Sequence, residues 1–401
     1  MSDGGKIPAI AVTRRRALVS IGAALAGAPA VLRGRFELFA QSGTEYSARA
    51  VSLIEQATVV DLLNQFRFAD YSDKPPRSER WLRVPGSFTP EDGALYRGSG
   101  IDVIALGHGA SDYDAAVRFF ADWNGFLAAY SDTFTRVDDG ADFERARTER
   151  KVGLLLSFQD STHFRTPEDV TTFFGLGQRI SQLTYNFSNR IGAGFLEHRD
   201  GGLSVVGHSI VERMETVGMA GGLSHCGDQT TLDALAAARR PVLFTHANCR
   251  ALVPGHLRCK TDEAIRKMAA TGGMMGIAFV RFMARDQEPV TIDHVLDHVD
   301  HVAKLVGIEH VGIGSDLDIV GNPNPVGGGF DPRSQAHFSR YQYHEDADGR
   351  ITVKGLDHPK RVFDLADGLI RRGYSDPDIK QVLGGNAVRV LTEIWKGTLP
   401  K

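Results

Sequence analysis

Short, mostly apolar runs of four to seven residues recur along the chain, and nearly all of them stop at a polar residue. The run at 57–60 leads to Asp61, 101–106 to Gly107 and His108, 152–158 to Gln159, and 181–184 to Tyr185 and Asn186. Those at 219–224, 241–245 and 310–315 lead to His225, His246 and Asp316; only 273–279 has no polar terminus. Runs this short suit strands buried on both faces of a parallel sheet rather than helices. The stretches at 114–130, 209–217, 230–239, 262–271 and 292–306 suit helices between them. Eight strands alternating with helices predict the α/β class and a (β/α)8 TIM barrel. The competing arrangement, an open doubly wound sheet, should show a glycine-rich phosphate loop after its first strand, and none is there. Stretches 71–96 and 320–355, rich in Pro, Gly and charge, leave the carboxyl ends of strands and are expected to wall or cover a site.

The first forty residues follow another pattern. Arg14, Arg15 and Arg16 precede an Ala- and Gly-rich apolar stretch at 17–32, the order of a Tat-type export signal. This predicts a signal and linker over 1–42, with cleavage near Ala30 or Ala40, a single barrel domain over 43–401, and a periplasmic or secreted product. No second long apolar segment follows, so no stable membrane insertion is expected. An apolar share of 42% is ample for a core, and a net charge of −3 argues against a nucleic-acid partner. Three cysteines, Cys226, Cys249 and Cys259, are too few for a disulfide scaffold. Burial as small apolar residues, pairing of Cys249 with Cys259, and metal ligation all remain open.

Residues 221–258 organise the chemistry. His225 and His246 close two consecutive strands at matching positions, at the end of an α/β fold where ligands bind. Neutral imidazole is a common metal ligand, so the pair points to a metal or catalytic site.

At this point the residues resemble a family. Leu-Thr-Tyr-Asn at 183–186, Gly-Leu-Ser-His225, Pro-Val-Leu-Phe-Thr-His246, His-Leu-Arg258, Thr-Asp-Glu at 261–263, Gly-Ile-Gly-Ser-Asp316 and Leu-Gly-Gly-Asn-Ala-Val-Arg389 are together similar to the membrane (renal) dipeptidases, peptidase family M19. The resemblance covers roughly residues 59–391. It implies a two-zinc (β/α)8 metallohydrolase that cleaves dipeptides, often as a homodimer. By the same resemblance His225 and His246 bind one zinc, Arg258 binds the substrate carboxylate and Asp316 is the acid–base aspartate. Those roles fit the side chains: Arg forks onto carboxylates, and a carboxylate beside an activated water relays a proton.

The chain also departs from the family. Where the family has Asp-Gly-His-Asn-Asp, this chain has Asp61-Leu-Leu-Asn-Gln65, so Leu63 and Gln65 replace both ligands of the other zinc. Gln159 stands for the bridging glutamate and Tyr185 for an oxyanion-stabilising histidine. The expected metal set is His225, His246 and Gln159, holding a single zinc or none, with Asp316 and Tyr185 catalytic. Asp160, His163, His108 and Cys226 are candidates to replace lost ligands. The leading reading is an exported dipeptidase-like hydrolase acting on dipeptides or small peptide-like amides. Against it stand a repurposed barrel doing acid–base or redox-linked chemistry on a peptide-like metabolite, and a non-catalytic binder of small carboxylates. Under each, the site residues should converge on one mouth of the barrel.

Overall fold

The structure is a computed structural model describing residues 35–37, 45–66, 77–321 and 350–396. It divides into two units, Met1–Ser52 and Leu53–Lys401. In the first, Arg35–Glu37 and Glu45–Ser47 pair antiparallel. The expected signal at 1–42 falls almost wholly outside the described residues, and no described helix is long and apolar enough to cross a membrane.

The second unit carries eight parallel strands: β1 Val60–Asn64, β2 Val103–Leu106, β3 Val152–Leu155 continued by Ser157–Phe158, β4 Ile180–Gln182, β5 Ala220–Gly222, β6 Leu243–Ala247, β7 Met274–Ile277 and β8 Val311–Ile313. Each pairs with the next, and Ile313 of β8 lies opposite Asp61 of β1, so the ring closes. This is the α/β barrel that the alternating pattern predicts. One irregularity sits in β3. Its first part pairs with β2 on one side and with an additional strand, Phe134–Arg136, on the other. Past Leu156 it turns to pair with β4 instead. The additional strand has three residues, two of them polar, too few to give a periodic signal.

Apolar spacing sets the helices. Ile292–Val306 buries Val295, Leu296, Val299 and Val302, one stripe at helical spacing. Val205–Val217 starts four residues before the expected 209, because Ser204 accepts a hydrogen bond from Gly207 N and caps it there. The C-terminal helix Asn386–Trp395 lays Ala387, Val390, Leu391 and Ile394 against Val60, Val103, Ile180, Ala220, Leu243 and Met274. Those six residues lie at the starts of six strands, so the helix plugs the amino end and the carboxyl end is left as the mouth.

The two excursions fare differently. The described part of 71–96 forms the helices Arg77–Arg83 and Pro90–Gly98, whose Trp81 and Tyr96 pack with Phe88 around Phe66. Those aromatic side chains anchor the stretch to the barrel, while most of its other described residues stay exposed or half-buried. Most of 320–355 lies outside the described residues. The cysteines resolve one open question: all three are buried and free, so Cys249 and Cys259 are not paired.

Candidate functional site

His225 lies just beyond β5 and His246 within β6, and their Nε2 atoms face each other at 2.9 Å. Gln159, which follows β3, brings its Oε1 to 3.2 Å from His225 Nε2. Both rings are held from behind. His225 Nδ1 lies 2.8 Å from Asn186 Oδ1, and the tautomer that donates to this acceptor leaves a lone pair on Nε2. His246 Nδ1 lies 2.8 Å from Thr245 Oγ1, which in turn accepts from Gln182 Nε2 at 2.7 Å. Gln182 Oε1 accepts from Ser224 N, and Ser224 Oγ accepts from His246 N. Gln182 fits only because Gly222 opposes it: a Cβ there would come within 2.2 Å of its Nε2.

The Thr245 proton has two destinations. Donated to His246 Nδ1, it leaves the His246 proton on Nε2, shared with His225. Donated to Ser224 Oγ, 3.2 Å away, it leaves His246 Nε2 without a proton, beside His225 Nε2 and near Gln159 Oε1. Both imidazoles are buried. Burial foremost, and then the cation of Arg258, hold each well below the usual histidine range, so both are neutral at pH 7.

The other expected site residues lie at or beyond further strand ends. Tyr185, beyond β4 and 41% exposed, lays its ring 4.4 Å from that of His225. Arg258 is buried, donates to Ser224 O and His246 O, and stands 5.9 Å over the Phe195 ring. Asp316, beyond β8, takes φ 57 and accepts from Gln65 Nε2 at 2.6 Å. Burial pushes its carboxyl up to about 6, against the pull of Arg258 and Gln65. Leu63 is buried, and a Cβ on Gly107 would lie 3.3 Å from its Cγ and 3.4 Å from Gln159 Nε2, so Leu63 and Gln159 flank the same glycine.

The proposed substitute ligands are engaged elsewhere. The Asp160 carboxylate accepts from Thr162 N, Tyr185 N and Asn189 Nδ2 and so ties two loops together. His163 sits among Phe158, Phe164 and Phe173 with its Nε2 on Gln178. His108 stacks on Phe119, and Cys226 Sγ accepts from Thr184 Oγ1. Among the described residues no three His, Cys, Asp or Glu side chains form a metal-binding group.

A family model for membrane dipeptidase (peptidase family M19) matches residues 105–332 and 345–398. The chain belongs to the M19 family. Dipeptidase verJ of Clonostachys rogersoniana is 34% identical over 232 residues, 57% of this chain and 52% of its own length. Dipeptidase tcpJ of Claviceps purpurea (strain 20.1) is 30% identical over 206 residues, 50% of this chain and 41% of its own. The chain thus spans about half the length of these curated relatives. Among solved structures, an amidohydrolase from Pseudomonas aeruginosa superposes with a TM-score of 0.71 at 26% identity, over 86% of this chain and 99% of that one.

For an M19 chain, the two-ion centre does not fit the residues present. Leu63 offers no donor, Gln65 is bonded to Asp316, and Gln159 is neutral. His225, His246 and Gln159 are the side chains that could hold a single ion, and Asn186 and Thr245 sit behind the rings as outer partners of metal-binding histidines do. The donors would be two imidazoles and an amide, with no carboxylate to balance the charge. The sequence reading passed over Asn186, Thr245 and Gln182. A polar Gln inside an otherwise buried strand run was the available signal.

Proposed function

We propose that this chain is an exported dipeptidase-type hydrolase, acting on dipeptides or small peptide-like amides, with a depleted site that holds at most one zinc ion. The observation that carries the reading is the pair of neutral imidazoles aimed Nε2 to Nε2 at 2.9 Å, with Arg258 on one side and Asp316 among the other strand ends. His225, His246 and Gln159 would hold the ion, which when bound would supply Lewis acidity at the scissile amide.

The chain's own side chains account for the rest. Arg258, a permanent cation beside the histidines, pairs with the substrate carboxylate. Asp316, with its carboxyl near 6, is ionised at neutral pH yet basic enough to take a proton from the attacking water and return it to the leaving amine. The Tyr185 hydroxyl donates to the developing oxyanion from its position over His225. Export through the Tat pathway to the periplasm is supported by Arg14 to Arg16 and the apolar stretch behind them. The family resemblance supports a homodimer.

The test is turnover of a dipeptide panel by the mature protein, alongside Arg258→Lys and Asp316→Asn. The reading expects hydrolysis, a raised KM in the first variant, and kcat lowered by about 10²-fold or more in the second. Absence of turnover over the whole panel, with and without added zinc, overturns it.

A further inference from the structure

A buried charged pair lies next to Asp316, and the chemistry above gives it no role. Asp61 of β1 is fully buried and spends its carboxylate on one turn: Oδ1 accepts from Ser315 N at 2.8 Å, and Oδ2 accepts from Ser315 Oγ at 2.6 Å. Asn64 Nδ2 adds a bond at 3.1 Å. Arg361, which opens the helix Arg361–Arg371 and is also fully buried, stands 3.9 Å from Asp61 Oδ2. Its guanidinium donates to Asp318 O at 2.7 Å and, at longer range, to Leu317 O and Ile319 O.

Burying two charges is costly, and a well-packed apolar pair would fill the same volume at lower cost. What the charges hold is specific. They surround residues 315–319, within which Asp316 adopts the left-handed backbone that a non-glycine residue keeps only when its surroundings enforce it. From the β1 side, Asp316 N donates to Leu63 O at 3.0 Å and Gln65 N to Leu317 O at 3.2 Å. The turn is therefore gripped by the end of β1 on one side and by Arg361 on the other, and the Asp316 carboxylate accepts from Gln65.

We propose that Asp61 and Arg361 are positioning residues for Asp316, clamping its turn so that the carboxyl is presented at the mouth of the barrel. The inference rests on the reading of Asp316 as the acid–base group, although the clamp itself is defined by geometry alone. Asp61 also acts on Asp316 through space. Its negative charge raises the Asp316 carboxyl, while Arg258 and the Gln65 amide act the other way.

The experiment uses the full mature chain with aspartate labelled at 13Cγ, the Asp316 signal being assigned by its loss in Asp316→Asn. Its titration is followed in the unmodified protein, in Asp61→Asn and in Ser315→Ala. Ser315→Ala deletes one hydroxyl and keeps the decision open if Asp61→Asn fails to fold. The clamp predicts a midpoint near 6 in the unmodified protein, lowered in both variants by about half a pH unit or more. It also predicts kcat lowered about tenfold in Ser315→Ala with KM within about twofold, as expected for a misplaced reacting group. A folded Ser315→Ala whose Asp316 midpoint and kcat match the unmodified protein overturns the proposal. If the unmodified chain turns over no dipeptide, the proposed function falls while the titration still decides the clamp.

Discussion

Replacing Asp316 by Asn should stabilise the protein at neutral pH while removing its proposed base. The carboxyl sits at about 6 in the fold against an ordinary 3.8, so the folded state binds its proton more tightly than the unfolded chain does. Stability contributed by this group is therefore present below about pH 4, lost as pH rises through about 6, and fully lost above about 7. Two pH units at about 1.4 kcal/mol each set a ceiling near 3 kcal/mol. Residue 316 as a whole keeps some solvent exposure, and screening there reduces the expected gain to about 1–2 kcal/mol. Asn keeps the acceptor for Gln65 Nε2 and tolerates the left-handed backbone, so little else changes. The assay is urea unfolding of chelator-treated protein at pH 4 and pH 8. The variant should match the unmodified protein at pH 4 and exceed it by about 1–2 kcal/mol at pH 8. A difference that is equal at both pH values, or a variant less stable at pH 8, refutes the account of this carboxyl.

Three further outcomes are expected. Changing Leu63→His, Gln65→Asp and Gln159→Glu together should raise zinc stoichiometry toward two and increase dipeptide turnover, both read on one preparation. Gln182→Leu should cost about 1–3 kcal/mol in urea unfolding, because Ser224 N and Thr245 Oγ1 lose a buried partner. Changing Arg14 and Arg15 to Lys should leave the protein in the cytoplasm, as fractionation and immunoblotting would show, and arrival in the periplasm would sink the export reading.

The barrel was legible because the strands are short apolar runs, nearly all ending in a polar residue, with helical stretches between them, and that alternation survives in sequence whatever the loops do. The strand Phe134–Arg136 escaped since three residues carry no period. His225 and His246 were legible from their matching strand ends. Their supports were not: Asn186 and Gln182 act on residues of nearby strands that lie 39 and 63 positions on in the chain, and nothing local marks such partners. The duties of the candidate substitute ligands were hidden for a related reason. Asp160, His163 and His108 lie next to the right strand end, but loop ties and aromatic stacking turn their side chains to other duties. Asp61 was expected to end the strand 57–60 but is the second residue of β1, and its partner Ser315 lies 254 positions on.

The central claim is that this M19 chain keeps one half of a metal centre. Calorimetric titration of zinc into chelator-treated mature protein tests it most directly, with His246→Ala as the control. The account predicts no more than one ion per chain, bound through His225 and His246 and lost in His246→Ala. Two tightly bound ions per unmodified chain would contradict it.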